Sequence, residues 1–171
     1  MVTTSRPRRN PMICRSLLSF RNFSCSITLL VCACSFSKSN AHETCPVPMY
    51  SRADSLLVDA RSSWPALLEH QRRFGACDDG YLAEGYSDAV AILFAKKWNQ
   101  FGEFVDISRG YPAFERWAIR HINETNSPDD LIQIMFNASK CIGNARTIKL
   151  CKEIRRAASN ALVEIEKIPA N

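Results

Sequence analysis

A group of four acidic residues is the best local candidate for chemistry in this chain. Glu84 and Asp88 are four positions apart, which places both carboxylates on one face of a helix. Asp78 and Asp79 come just before that helix. Carboxylates this close raise the pKa of one another, as general acid catalysis requires, and their oxygens also bind hard cations. The simpler interpretation is a capped helix with a solvated acidic face. The four residues are also candidates for binding a partner, and we expect no metal.

Histidines are the second candidate for chemistry. His42, His70 and His121 are spread along the chain, and no serine or cysteine nucleophile is placed beside any of them. Phosphate-binding glycine loops, GxSxG, HExxH and EF-hand patterns are all missing from the sequence. We therefore expect structural histidines, no catalytic residue and no cofactor. The alternative function is a small exported hydrolase that uses Glu84, Asp88 or His121.

A run of basic residues near the C-terminus is the third candidate. The residues recur at steps of about three, which predicts a basic stripe along one helix. The stripe predicts docking onto an acidic protein surface, or onto anionic lipid, unless it is only a solvated face paired with Glu153. No aromatic residues interleave it, as they do in base-stacking grooves, so nucleic acid is disfavoured as a partner. The stripe consists of Arg146, Lys149, Lys152, Arg155 and Arg156.

These side chains need elements that position them, and the periodicity predicts helices. Leu82 to Phe94 follows a spacing of 3.6 residues, and Ser127-Pro128 is a helix start with a cap and a first-turn proline. Gly85 lies inside the first of these helices, where it costs about 1 kcal/mol relative to alanine and suits close packing. A last helix from about Ala145 to Lys167 is expected to bury one apolar face. Its predicted buried positions are Ile148, Cys151, Ile154, Ala158, Ala161, Leu162 and Ile165.

The whole pattern predicts an all-α protein, a small disulfide-stapled bundle or array of five to seven helices. Because Pro46 and Pro48 disfavour helix in the residues before them, residues 42–50 are expected to form an extended N-terminal arm. Residues 51–171 are expected to form a single α-helical domain.

The N-terminal segment has the charge and hydropathy order of a secretory signal peptide. The chain carries 22 Lys+Arg and 17 Asp+Glu, and residues 1–41 hold six of the basic groups and none of the acidic ones. An apolar stretch of 14 residues, Phe23 to Phe36, precedes Ser39-Asn40-Ala41. The stretch is short of the roughly 20 residues that span a bilayer. We predict cleavage after Ala41, which leaves 16 basic and 17 acidic groups in the mature chain.

The same segment supports an alternative kind of processing. Val31-Cys32-Ala33-Cys34 resembles a bacterial lipobox, which predicts an envelope protein acylated at Cys34. Membrane contact is expected only through the signal segment or such an anchor.

Cysteine usage agrees with export. Of eight cysteines, Cys45, Cys77, Cys141 and Cys151 follow the predicted cleavage site, and an even count in a small exported domain predicts two disulfides. Cys141 and Cys151 are close across a predicted helix–helix turn, which leaves Cys45 for Cys77. The sequence thus predicts a periplasmic or extracellular helical protein, non-enzymatic, that binds another protein with an acidic surface.

Overall fold

The computed structural model describes residues 45–167, which all fall within one compact unit. Seven α-helices follow one another in this range, with a 3₁₀ turn before α3 and another before α4, and the described residues contain no β-strand. The all-α prediction is confirmed. The helices are α1 (Val47–Ala60), α2 (Trp64–Phe74), α3 (Gly80–Lys96), α4 (Phe101–Gly110), α5 (Pro112–Arg120), α6 (Pro128–Ser139) and α7 (Ala145–Lys167).

Side-chain caps and prolines determine where several helices begin. The Ser63 hydroxyl accepts the amide of Ala66 at 3.3 Å at the start of α2, and Ser127 does the same for Asp130 at 3.2 Å at the start of α6. Each cap satisfies a backbone donor that has no partner inside the helix. Asp79 caps α3 through Gly80, whose φ of 50° suits glycine.

The predicted N-terminal arm is wrong from Val47 onward. Helix α1 begins at Val47, and Pro46 is its extended N-cap residue, with φ −62° and ψ 138°. Pro48 fits inside the first turn because the backbone N–H groups there have no intrahelical acceptor to lose. The prolines therefore begin a helix here. Residues 42–44 lie outside the described residues, as do the predicted signal peptide, its cleavage site and the lipobox cysteine.

Aromatic rings from α2 to α5 fill the centre of the core. The Trp64 ring is fully buried and lies 4.5 Å from that of Phe94 and 4.4 Å from that of Phe104, centroid to centroid. Phe114 of α5 approaches it edge-on at 6.4 Å. Offset and edge-on pairs of this kind are the favoured aromatic geometries. Helix α3 is packed between α1 and α6, and its buried apolar residues close the core.

Gly85 allows α1 and α3 to approach closely. A Cβ added at this position would overlap the Leu57 side chain of α1. The close-packing role predicted for this glycine is therefore what the structure shows, and the propensity cost of glycine in a helix is offset by the contact between the two helices.

Two disulfides tie the helices at both ends of the described chain. Cys45, before α1, is bonded to Cys77 in the 3₁₀ turn before α3, with Cα atoms 4.8 Å apart. Cys141, after α6, is bonded to Cys151 of α7, with Cα atoms 6.3 Å apart. These are the two pairs that the sequence predicts. Each cross-link of this kind contributes about 2–4 kcal/mol to stability.

Helix α7 buries a stripe that differs in part from the predicted one. Cys151, Ile154, Ala158 and Ala161 are buried as expected, and Leu162 and Ile165 are partly buried. Ile148 was predicted to be buried, but it lies only partly covered, while Leu150 is buried instead. At about 100° per residue, Ile148 lies to the side of the stripe that faces α5 and α6.

Candidate functional site

The four acidic residues around α3 do not form one patch. Asp79 caps the helix and is exposed, and Glu84 is exposed one turn further on. Asp88 forms an ion pair with Arg61 at 2.9 Å. Asp78 instead faces inward, towards α5. Within residues 45–167 no group of three or more His, Cys, Asp or Glu side chains is placed to hold a metal ion.

Asp78 and His121 form a largely buried pair. His121 is 7% exposed, and its Nε2 lies 3.1 Å from Asp78 Oδ2. The Trp117 indole N–H donates to the same oxygen at 2.7 Å. Burial alone raises the pKa of Asp78, but the hydrogen bond and charge of His121 and the Trp117 N–H outweigh it, so the pKa is lowered. The carboxylate is therefore held in its charged form.

The other ring nitrogen of His121 contacts a serine. Nδ1 lies 3.0 Å from Ser87 Oγ, and the Asn123 side-chain amide donates to the same hydroxyl at 3.1 Å. Asn126 donates to the Ser87 carbonyl at 2.9 Å. Ser87, His121 and Asp78 thus have the residue types of a catalytic triad. The sequence did not reveal them because Ser87 and Asp78 are 34 and 43 positions from His121.

Burial makes this arrangement structural. Ser87 is 2% exposed, and its hydroxyl also lies 3.1 Å from the Ala83 carbonyl one turn earlier in α3. A nucleophile must reach the reacting atom of a substrate, and a hydroxyl enclosed between helices does not. The cluster therefore ties α3 to the turn before it and to the connection between α5 and α6.

His70 forms a second buried contact with the core. Its Nε2 donates to the Ala53 carbonyl of α1 at 2.9 Å, and its Nδ1 lies 2.9 Å from the Tyr86 hydroxyl of α3. Because a carbonyl only accepts, Nε2 carries a proton, and the lowered pKa of His70 favours the neutral ring, in which Nδ1 accepts from the Tyr86 hydroxyl. Burial lowers the pKa of His70 and outweighs the hydrogen bond to the Ala53 carbonyl, which raises it, while the nearby Arg73 charge lowers it further. Burial, with the Asp78 charge, raises the pKa of Tyr86.

The residues of the predicted hydrolase engage separate partners. His121 pairs with Asp78, Asp88 pairs with Arg61, and Glu84 is exposed. The three side chains therefore do not assemble into the acid–base site that the hydrolase requires.

The basic stripe on α7 is exposed, but part of it is neutralised. Arg146 forms an ion pair with Glu115 of α5 at 2.8 Å and also donates to the Ser108 carbonyl. Lys149 lies 3.7 Å from Glu153. Within the described part of the chain, Lys152, Arg155 and Arg156 have no acidic side chain within 4.0 Å. The surface available to a partner is therefore the second half of the predicted stripe.

Arg156 shares a groove with two arginines of α5. Arg116 and Arg120 are one helical turn apart, and together with Arg156 they line a groove of about 370 Å³ between α5 and α7. Across residues 45–167, none of the three has an acidic side chain within 4.0 Å. We call this the basic groove. Sequence reasoning missed Arg116 and Arg120, although their four-residue spacing was a signal. The remaining lining residues are Ile119, Glu153, Ala157 and Asn160.

A second groove lies on the other side of α7, against α6. Its apolar lining comes from Ile132, Met135, Phe136 and Leu162, and Arg155 stands beside them. Ile132 is 56% exposed and Phe136 is 51% exposed. We call this the apolar groove.

No known protein family, curated protein or solved structure matches this chain. The fold and the surface therefore define its class: a disulfide-bonded, all-helical protein with a basic groove and an apolar groove on either side of its last helix. Disulfides suggest an oxidising, exported environment. No helix among residues 45–167 has the length and apolar character to cross a membrane.

Proposed function

We propose that this protein is an exported, non-enzymatic binding module that docks an acidic partner protein in its basic groove. The observation that carries the proposal is that Arg116, Arg120 and Arg156 converge on one groove, and among the described residues none of the three has an acidic side chain within 4.0 Å. Glu153 also lines the groove, but its carboxylate lies 3.7 Å from Lys149. Lys152 of α7 is exposed on the same helix and adds to the local positive charge.

Electrostatics supports an acidic occupant. Residues 45–167 contain 16 basic and 16 acidic side chains, so the groove is positive because of how charge is distributed and not because of net charge. Neighbouring guanidinium groups repel one another, and carboxylates of a partner relieve that repulsion. Guanidinium groups also bind carboxylates through two parallel hydrogen bonds, which adds geometric specificity.

The enclosed position of Ser87 and His121 supports a binding role over hydrolysis, because the triad-like residues lie where no substrate carbonyl reaches them. We propose that the protein binds no cofactor. A lipid-anchored envelope protein acylated at Cys34 is the alternative.

The N-terminal charge pattern and the two disulfides support export. We propose a mature chain that begins at His42 in the periplasm or the extracellular medium. Intact mass of the exported protein tests this point. A chain that begins at a diacylated Cys34 would replace signal cleavage by lipoprotein processing, and a chain that retains residues 12–41 would contradict both.

A titration of the ¹⁵N-labelled protein with a polyglutamate peptide tests the basic groove. We expect amide shifts at α5 and α7, and affinity that weakens steeply with added salt because the attraction is screened. Arg116→Glu with Arg120→Glu should abolish the shifts. Arg52→Glu with Arg73→Glu is the matched control, since it makes the same charge change on α1 and α2. Equal loss in both double variants would show only net-charge attraction and would refute the groove.

A further inference from the structure

The apolar groove between α6 and α7 has exposed side chains in a regular arrangement. Ile132 and Phe136 are one turn apart on α6, so they lie on the same face, and both are more than half exposed. Leu162 of α7 completes the opposite wall, and Met135 lies partly buried between them. Large apolar side chains grouped in this way mark interaction surfaces more often than isolated ones do.

The edge of this groove is cationic. Arg155 lines it from α7, and the Lys140 ammonium lies 3.7 Å from the centroid of the Phe136 ring. In the part of the chain that the structure describes, neither cation has an acidic side chain within 4.0 Å. Charge complementarity therefore favours an occupant that carries acidic groups beside apolar ones.

The walls of the groove are held in place before any partner arrives. The α6–α7 pair is joined by the Cys141–Cys151 disulfide, and Asn137 of α6 donates to the Phe94 and Ala95 carbonyls of α3, each at 2.9 Å. A preformed groove between two helices binds with a smaller loss of conformational entropy than a surface that must first become ordered.

We propose that the apolar groove binds an amphipathic helix of a partner protein, with apolar side chains along one face and acidic side chains on its flanks. Such a helix places residues i, i+3 or i+4 and i+7 in the groove, as in other helix-in-groove complexes. Its acidic flanks meet Arg155 and Lys140. The position of the groove between two helices favours a helical occupant. Anionic lipid is the competing occupant, because exposed apolar side chains flanked by Arg155 and Lys140 also suit a membrane interface, and the vesicle measurement below separates the two. This surface adds to the basic groove and does not depend on it.

A designed peptide serves as the probe. It carries leucine at helix-spaced positions with glutamate on both flanks, and a peptide of the same composition in scrambled order has no apolar face. Calorimetry and ¹⁵N amide shifts of the full mature chain should show binding of the ordered peptide with shifts at α6 and α7. We expect the scrambled peptide to bind at least about tenfold more weakly.

Variants of the exposed residues locate the contact. Ile132→Gln with Phe136→Gln should weaken binding of the ordered peptide by about tenfold or more, because apolar anchors dominate such interfaces. Val58→Gln with Tyr81→Gln is the matched control, since these exposed residues lie on α1 and α3. Arg155→Glu should weaken binding of the ordered peptide and leave the affinity of the basic groove for polyglutamate almost unchanged.

Four results would each overturn the proposal. The first is the absence of amide shifts at α6 and α7 at about 1 mM ordered peptide, and the second is equal affinity for the two peptides. The third is an equal loss of affinity in the two double variants. The fourth is preferential binding to anionic phosphatidylglycerol vesicles, when that binding is lost in Ile132→Gln with Phe136→Gln. Self-association that disappears in the same variant would assign the groove to a second copy of this chain instead. Circular dichroism and melting curves confirm that each variant is folded.

Discussion

Arg155 and Arg156 are neighbours in the chain, yet their side chains line different grooves on opposite sides of α7. Successive residues of an α-helix point about 100° apart, so two adjacent arginines on an exposed helix face reach both of its flanks. This relationship gives α7 two distinct binding edges. Charge reversals at the two positions therefore separate the two grooves experimentally.

Gly85→Ala is expected to destabilise the protein, although alanine is the better helix former. The added methyl group overlaps Leu57, and overpacking of this kind costs about 1–3 kcal/mol. Gly102→Ala is the matched control, because that helical glycine has open space around its Cβ position and should gain up to about 1 kcal/mol. Urea unfolding measures both. Unchanged stability of Gly85→Ala would show that the Leu57 side chain or the two helices move aside without cost.

Breaking the Asp78–His121 pair should destabilise the fold strongly. Asp78→Asn leaves the Trp117 indole and His121 without their charged acceptor, and we expect a loss of about 3 kcal/mol in the free energy of unfolding. Asp79→Asn is the control: that residue is exposed, and asparagine caps as well as aspartate, so the change should be about 0.5 kcal/mol or less. Equal effects of the two substitutions would contradict the structural role of the buried pair.

The same pair predicts acid sensitivity. Because the pKa of Asp78 is lowered in the folded state, its contribution is complete above the unfolded value of 3.8 and is lost as the pH falls through the folded value. The melting temperature of the wild type should therefore fall more steeply with decreasing pH below about pH 4 than that of Asp78→Asn. Parallel curves would show that Asp78 has the same pKa in both states.

His70 should make the protein less stable in mildly acidic solution. Its folded-state pKa is lowered from 6.5, so its contribution is complete above 6.5 and is lost as the pH falls through the folded value. His70→Gln removes this titration but keeps a polar side chain. The difference in unfolding free energy between wild type and variant should shrink as the pH falls below 6.5, and a difference independent of pH would contradict the assignment of a neutral His70.

Ile154 and Ile148 test the orientation of α7. Ile154→Ala should cost about 2–5 kcal/mol, because its side chain is fully buried and leaves a cavity. Ile148→Ala should cost much less, since that side chain is only partly covered. Lys149→Glu with Arg156→Glu should leave the melting temperature almost unchanged, because exposed charges contribute little to stability. A larger loss of stability from Ile148→Ala than from Ile154→Ala would show that α7 is rotated about its axis relative to the orientation described here.

The sequence by itself determined the features that depend on neighbours along the chain. The 3.6-residue period, the cap at Ser127 and the glycine at position 85 indicate helices and a close contact, because each depends on residues within a turn or two. Cysteine spacing also indicated the two disulfides. The N-terminal arm was mispredicted because proline breaks a helix interior but fits a first turn, and composition does not distinguish the two.

Only the tertiary structure decided which distant side chains meet. Asp78 looked like part of an acidic surface, but helix packing turned it towards His121, and Arg116 and Arg120 became a groove only when α7 brought Arg156 beside them. Likewise, Ile148 satisfied the helical period but lay off the face that α5 and α6 cover. Periodicity gives the angle of a residue around its own helix, whereas burial and pairing depend on which neighbouring helices pack against that angle.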